Sequence, residues 1–233
     1  MQTEQLTITE WQERVGVNLA TLGYPDAPYW KQALLVAVSK YVPAEAIEGA
    51  FHAGIQCFGE SKAVEALKKR EQLDPDINEA IEWHFIGSIQ SNKLNKIVGH
   101  YDLIHSVDRL SLIEAIAEKA DAQGIKQSIL LQVNVSGEES KSGFSPDDLR
   151  QAVEATLKYD NSLQLLGFMT LAPLTTDMTV IDASFGGLRC LRDAMESLAK
   201  TRLPHLSMGM SSDYGHALAN GATIVRIGSK LFT

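Results

Sequence analysis

The sequence predicts an α/β protein: a single (β/α)8 TIM-type barrel with an extra N-terminal helix, spanning residues 1–233 as one domain. Three observations carry this expectation. Eight short apolar runs recur along the chain, they are mostly unbroken rather than alternating, and helical patterns stand between them. The length of 233 residues suits one such barrel, which takes roughly 250, and leaves no room for a second substrate domain.

Taken in order, the runs are ALLVAVS (33–39), QCF (56–58), WHFIG (83–87), LIHSV (103–107), ILLQVNV (129–135), LQLLGFM (163–169), HLSM (205–208) and TIVRIG (223–228). Strands buried on both faces of a parallel sheet read this way. Ahead of the first run, residues 9–22 place Trp11, Val15 and Leu19 four apart, which predicts a helix that closes the barrel bottom or completes its ring. The Gly/Pro/aromatic stretch 23–30 is a loop. Further helices fit 43–53, 60–72, 90–98, 182–200 and 212–220. Asp108 is expected to cap the helix in which Leu110, Ile113, Ala117 and Ala120 recur on one face. Ser145-Pro146-Asp147-Asp148 is expected to open another, with a capping hydroxyl, a proline at the first helical position and two carboxylates at the positive end of the dipole. No helix is evident after the eighth strand. A doubly wound open sheet is the rival architecture, and it lacks support because no G-x-G-x-x-G follows the first strand.

Composition narrows the function. Hydrophobic residues at 45% and charged residues at 21% suit a globular chain with a sizeable core. The net charge of −8 argues against general binding to nucleic acid or anionic membranes. Cys57 and Cys190 sit in apolar stretches with no C-x-x-C pair, so they are expected as buried free thiols rather than metal ligands or a disulfide. The six histidines show no metal spacing. With neither a basic lead nor an apolar run in MQTEQLTITE, and no membrane-length apolar stretch, a soluble cytoplasmic protein is expected.

In a barrel of this kind the chemistry sits where strands end. Lys40 directly follows the first strand. There it is either a solvated residue marking the strand end or an amine that partial desolvation frees to attack an aldehyde. The loops after the last two strands are the usual phosphate cradle of the architecture. Here they read Met208-Gly209-Met210-Ser211-Ser212-Asp213 and Arg226-Ile227-Gly228-Ser229, small residues and hydroxyls that suit one bridging anion or serve as plain helix caps. His84, Asn134 and Met169 also end strands. His84 reads better as a hydrogen-bonded interior histidine than as a catalyst, Glu138, Glu139 and Lys141 as a solvated loop, and Lys93 and Lys96 as a helix surface.

Several of these motifs together resemble the pyridoxal phosphate homeostasis protein family, which shares the barrel of alanine racemase without its second domain. They are Val38-Ser39-Lys40, Phe58-Gly59-Glu60, the run from Trp83 to Lys93, Val133-Asn134-Val135-Ser136 with Lys141-Ser142-Gly143, Leu206 to Ser211, and Val225 to Gly228. The resemblance covers nearly the whole chain. It implies that Lys40 holds pyridoxal 5'-phosphate (PLP) as a Schiff base, that Ser211, Gly228 and Ser229 hold the phosphate with Met210 beside them, and that Arg226 faces the pyridine nitrogen. Two positions depart from the family pattern. Ser61 stands where F-G-E is usually followed by asparagine, and Thr233 where a glycine usually follows the last phenylalanine. The expected protein is a monomeric cytoplasmic carrier or buffer of PLP, partnered by PLP-accepting apo-enzymes or a regulatory protein, and not an enzyme. That last expectation rests on the missing second domain, from which racemases take their second proton-transfer group. A racemase-like PLP enzyme and a Schiff-base aldolase acting on a phosphosugar are the alternatives.

Overall fold

A computed structural model describes residues 7–24, 26–27 and 30–232. Residues 1–6, Pro25, Pro28, Tyr29 and Thr233, on which the readings of the N-terminus, part of the 23–30 loop and the chain end fall, lie outside the described residues.

Eight parallel strands close into a barrel in sequence order: β1 (Leu34–Val38), β2 (Cys57–Glu60), β3 (Glu82–Phe85), β4 (Leu103–Val107), β5 (Gln127–Gln132), β6 (Leu163–Met169), β7 (His205–Ser207) and β8 (Ile224–Ile227). β8 pairs with β1, Leu34 opposite Ile224 and Val36 opposite Arg226, so the sheet has no free edge and the open-sheet rival is excluded. Every apolar run read from the sequence is a strand.

The helices are α1 (Ile8–Thr21), α2 (Ala44–His52), α3 (Ala63–Arg70), α4 (Pro75–Ala80), α5 (Leu110–Gln123), α6 (Leu149–Leu157), α7 (Met178–Ala199) and α8 (Tyr214–Ala219). α1 completes the ring. Its Trp11 ring lies 5.0 Å from that of Tyr214 on α8, and Ile8, Trp11 and Val15 share a pocket wall with Leu35 of β1 and Val225 of β8. It thus covers the seam where β8 meets β1. A capping box starts it, Thr7 Oγ1 accepting from Glu10 N–H and the Glu10 carboxylate accepting from Thr7 N–H.

Four local expectations need correction. The segment 90–98 is a short 3₁₀ turn over Ser91–Lys96, not an α-helix. Asp108 does not cap α5; it pairs with Arg109, which occupies the cap position without a side-chain bond. Ser145 organises a turn, donating to the Asp148 carboxylate at 2.6 Å and accepting from its N–H, and α6 begins only at Leu149. Cys57 is buried as expected, but Cys190 is exposed on the outer side of α7.

Apolar side chains separate into two bodies. The larger lies between the barrel and its helices, with Phe58, Trp83, Phe85, Phe168 and Phe185 at most 1–2% exposed. A smaller one, Val36, Cys57, Leu103, Leu130, Met169 and Ile224, fills part of the barrel interior. Among the described residues no helix is long and apolar enough to cross a membrane.

Candidate functional site

Because all strands run one way, their C-terminal ends share one rim, the mouth, and their starts form the floor. Lys40 sits at the mouth two residues past β1, in a turn, with its ammonium 5.0 Å from the Tyr41 ring centroid. It is exposed, so the desolvation expected of a lysine directly on a strand end is not present at this side chain. The neighbouring βα unit clamps the turn instead. Ser39 Oγ donates to Glu60 Oε1 at 2.8 Å, and Lys69 Nζ donates to Ser39 O at 2.6 Å and to Val42 O at 3.2 Å while pairing with Glu60 at 2.6 Å. Glu60 is only 1% exposed; these bonds are what make its carboxylate tolerable there.

The loops after β7 and β8 meet as the sequence leads one to expect. Ser229 Oγ lies 3.3 Å from Ser211 Oγ. Gly209 has a φ of 93°, and a side chain there would run into Ala217 and Tyr214, so the loop can lie flat on α8 only with glycine. Asp213 Oδ1 accepts from Met210 N–H at 2.6 Å, which commits that amide within the loop. Gly228 lies against Val38, bringing the end of β8 beside the strand that leads to Lys40.

Arg226 is the buried charge of the site. Its guanidinium, 5% exposed, donates from Nη1 to Ser207 Oγ at 2.5 Å and from Nη2 to Thr170 O at 3.1 Å. Among the described residues it forms no ion pair. Burial pushes its pKa down to about 10, with Asp213 opposing, so the group stays charged at neutral pH.

Below Arg226 a polar file descends through the barrel. Ser207 Oγ is 2.8 Å from His105 Nδ1, His105 Nε2 is 2.9 Å from His84 Nδ1, and His84 Nε2 is 2.8 Å from Glu82 Oε1 at the floor. His84 is the hydrogen-bonded interior histidine read from the sequence. His105, Thr170, Glu82 and Lys69 carried no signal that singles them out, since each looks like an ordinary strand or helix residue until its partner is known, and Ser207 and Asp213 fell within named motifs without a role of their own. Cys57, Glu82 and His84 also bring one ligand-type atom each within 4.8 Å of one another, which sequence spacing does not reveal; Glu82 and His84 already satisfy each other.

The remaining expected positions are mostly structural. Asn134 ties the loop after β5 by donating to Glu138 O and Lys141 O. Lys141 is less solvated than expected, donating to Ala172 O at 2.8 Å and pairing with Glu138. Met169 packs in the barrel interior. Lys93 and Lys96 are exposed, and Lys93 borders a cleft of about 420 Å³ that Ser61, Lys62, Ser88 and Gln90 also line.

The alanine racemase N-terminal domain family matches the chain over residues 30–233. The pyridoxal phosphate homeostasis protein of Pseudomonas aeruginosa is 43% identical over 226 residues, covering 97% of this chain and 90% of its own. PipY of Synechococcus elongatus, solved without PLP, shares the fold at a TM-score of 0.82 and 37% identity, covering 94% of this chain and 100% of that one; solved with PLP bound, it gives 0.78 and 35%. Alanine racemase from Corynebacterium glutamicum, at 18% identity, shares the barrel with a TM-score of 0.62 across 93% of this chain and 59% of its own. With a family match from Trp30 onward and a relative this similar over almost its full length, the chain belongs to the pyridoxal phosphate homeostasis proteins, a family built on the alanine racemase barrel.

Proposed function

We propose that this protein holds PLP at the barrel mouth as a Schiff base on Lys40. In this reading it serves intracellular PLP homeostasis as a monomeric carrier or buffer, handing the cofactor to apo-enzymes without turning over a substrate. Arg226 is the observation that carries the reading. A buried guanidinium without a carboxylate partner is costly unless a polar or anionic ligand completes its bonding. PLP offers both a ring acceptor and a dianionic phosphate.

The residues present fit that group. Arg226 keeps N–H groups beyond those given to Ser207 and Thr170, and these donate to the ring nitrogen, which a permanent cation holds unprotonated. Ser211 and Ser229, with the Gly228 backbone between the strands, present donors to the phosphate, while Met210, its amide committed to Asp213, borders them. Lys40 forms no ion pair among the described residues and its amine is accessible. When bound, PLP supplies an aldehyde that condenses with an amine and a ring that withdraws electrons from the attached carbon. Arg226 beside the nitrogen weakens that withdrawal relative to a carboxylate partner, which favours holding over turnover. PipY with PLP bound, and the homeostasis name of the relatives, support the same reading.

The test is borohydride reduction of the PLP-loaded protein followed by peptide mapping. The expected label is on Lys40, with visible absorbance lost, and Lys40→Ala is expected to take up none. Lys62 is the informative competitor, because its ammonium lies 6.0 Å from the same Tyr41 ring; a label there overturns the assignment. In a companion incubation with L-alanine, D-alanine forming over many turnovers overturns the carrier reading.

A further inference from the structure

The file beneath Arg226 has a direction that its two ends impose. A guanidinium only donates, and an ionised carboxylate only accepts. The bond from His84 holds the Glu82 carboxyl below its ordinary value, so it is ionised at neutral pH. His84 must then carry its proton on Nε2, because a bare nitrogen there would face the carboxylate lone pair against lone pair. Its Nδ1 is left to accept, so His105 donates from Nε2, and His105 Nδ1 in turn accepts from Ser207 Oγ–H. Ser207, having spent its proton, turns lone pairs toward Arg226. One tautomer of each ring satisfies all four bonds with a single ring proton apiece, and burial keeps His105 well below the ordinary histidine range.

We infer that Glu82, His84, His105 and Ser207 are positioning residues, a one-way donor chain through which a carboxylate at the barrel floor fixes the guanidinium of Arg226 for the ring nitrogen at the mouth. This rests on the proposed placement of PLP and extends it to residues that no ligand at the mouth can touch. His84, His105 and Ser207 are fully buried, whereas the Glu82 side chain is half exposed at the opposite end of the barrel. The chain is a frame rather than a route for protons to the ligand, because its last member keeps its charge. Its consequence is selectivity: a ring with an acceptor nitrogen is favoured over the same ring with a C–H in that position.

Two measurements test this on the full chain. Histidine ¹⁵N NMR of the ligand-free protein at neutral pH is expected to show His84 and His105 as neutral Nε2–H tautomers. An Nδ1–H tautomer or an imidazolium at either ring overturns the chain. The second compares the affinity for PLP with that for its analogue bearing C–H in place of the ring nitrogen. Wild type is expected to prefer PLP. Glu82→Met, which removes the acceptor at the floor, and Ser207→Ala are each expected to cut that preference about fivefold, the weight of one hydrogen bond, while leaving affinity for the analogue unchanged. Glu82→Met alters a half-exposed side chain and keeps the fold testable if Ser207→Ala does not. A preference retained in Glu82→Met overturns the chain alone. Equal affinity of wild type for the two ligands overturns both the placement of the ring at Arg226 and the chain's role, whatever the tautomers.

Discussion

Ser211 and Ser229 come from loops that follow different strands, yet their hydroxyl oxygens lie 3.3 Å apart, close enough to share one anion. Ser211 is partly exposed and Ser229 exposed. Replacing one therefore removes a donor without opening a cavity. Ser211→Ala and Ser229→Ala are each expected to weaken PLP binding by roughly 1–3 kcal/mol, the range for a hydrogen bond to a charged group. Equilibrium titration with PLP and with unphosphorylated pyridoxal checks this, because pyridoxal should bind both variants as well as it binds wild type. If pyridoxal loses as much as PLP, the cradle lies elsewhere. At this scale the sequence was informative about position, with Lys40 just past β1 and Arg226 near the end of β8, because strand ends in a barrel face the mouth. It was silent on what holds them. Glu60 and Lys69 clamp the Lys40 turn from β2 and α3, and no spacing within one element announces a bond between two.

The turn after β1 shows how an element inherits its shape from its neighbour. Lys69 satisfies two carbonyls of the turn and the buried Glu60 carboxylate at once. Lys69→Met keeps the length of the side chain and removes all of these bonds, leaving the buried Glu60 carboxyl with only Ser39 as a donor. Breaking a buried pair in this way is expected to cost roughly 3–5 kcal/mol. Urea unfolding of the variant measures it, and a loss within the scatter of ordinary surface substitutions would mean that the turn is held by something else. The strands themselves were legible because a parallel barrel buries both faces of each one, so apolar runs stand out. Helix starts were less so. Asp108 and Ser145 have the residue types of caps, but Asp108 is drawn to Arg109 and Ser145 to Asp148, so each hydrogen-bonds locally and the helix begins later. The cover over the β8–β1 seam has the same kind of answer. α1, far away in sequence, packs over the β8–β1 seam, and Gly215 on α8 makes room for Asn18 and Leu22 next to it.

Across the whole molecule, the barrel interior is where sequence reading stops, since Ser207 and His105 are 102 residues apart and become partners only when the sheet closes. That interior also sets how the protein responds to acid. Burial holds His105 well below the ordinary 6.5, and burial likewise lowers His205 at the start of β7. In the unfolded chain these rings take up protons as pH falls through about 6.5, while in the folded barrel they resist, so the unfolded state binds more protons and stability falls with pH. Above that pH the rings are neutral in both states and contribute no slope. Further down, Glu82, whose carboxyl sits below its ordinary 4.5 because of the bond from His84, adds a second loss as pH falls through its folded value. The unfolding free energy in urea is therefore expected to be flat from about pH 8 to pH 7 and to decline from about pH 6.5 toward pH 5. His105→Gln should flatten part of that decline, because a glutamine can accept from Ser207 and donate to His84 yet does not titrate. A stability profile that stays level down to about pH 5, or a decline that His105→Gln leaves untouched, would mean that His105 does not resist protonation in the folded barrel.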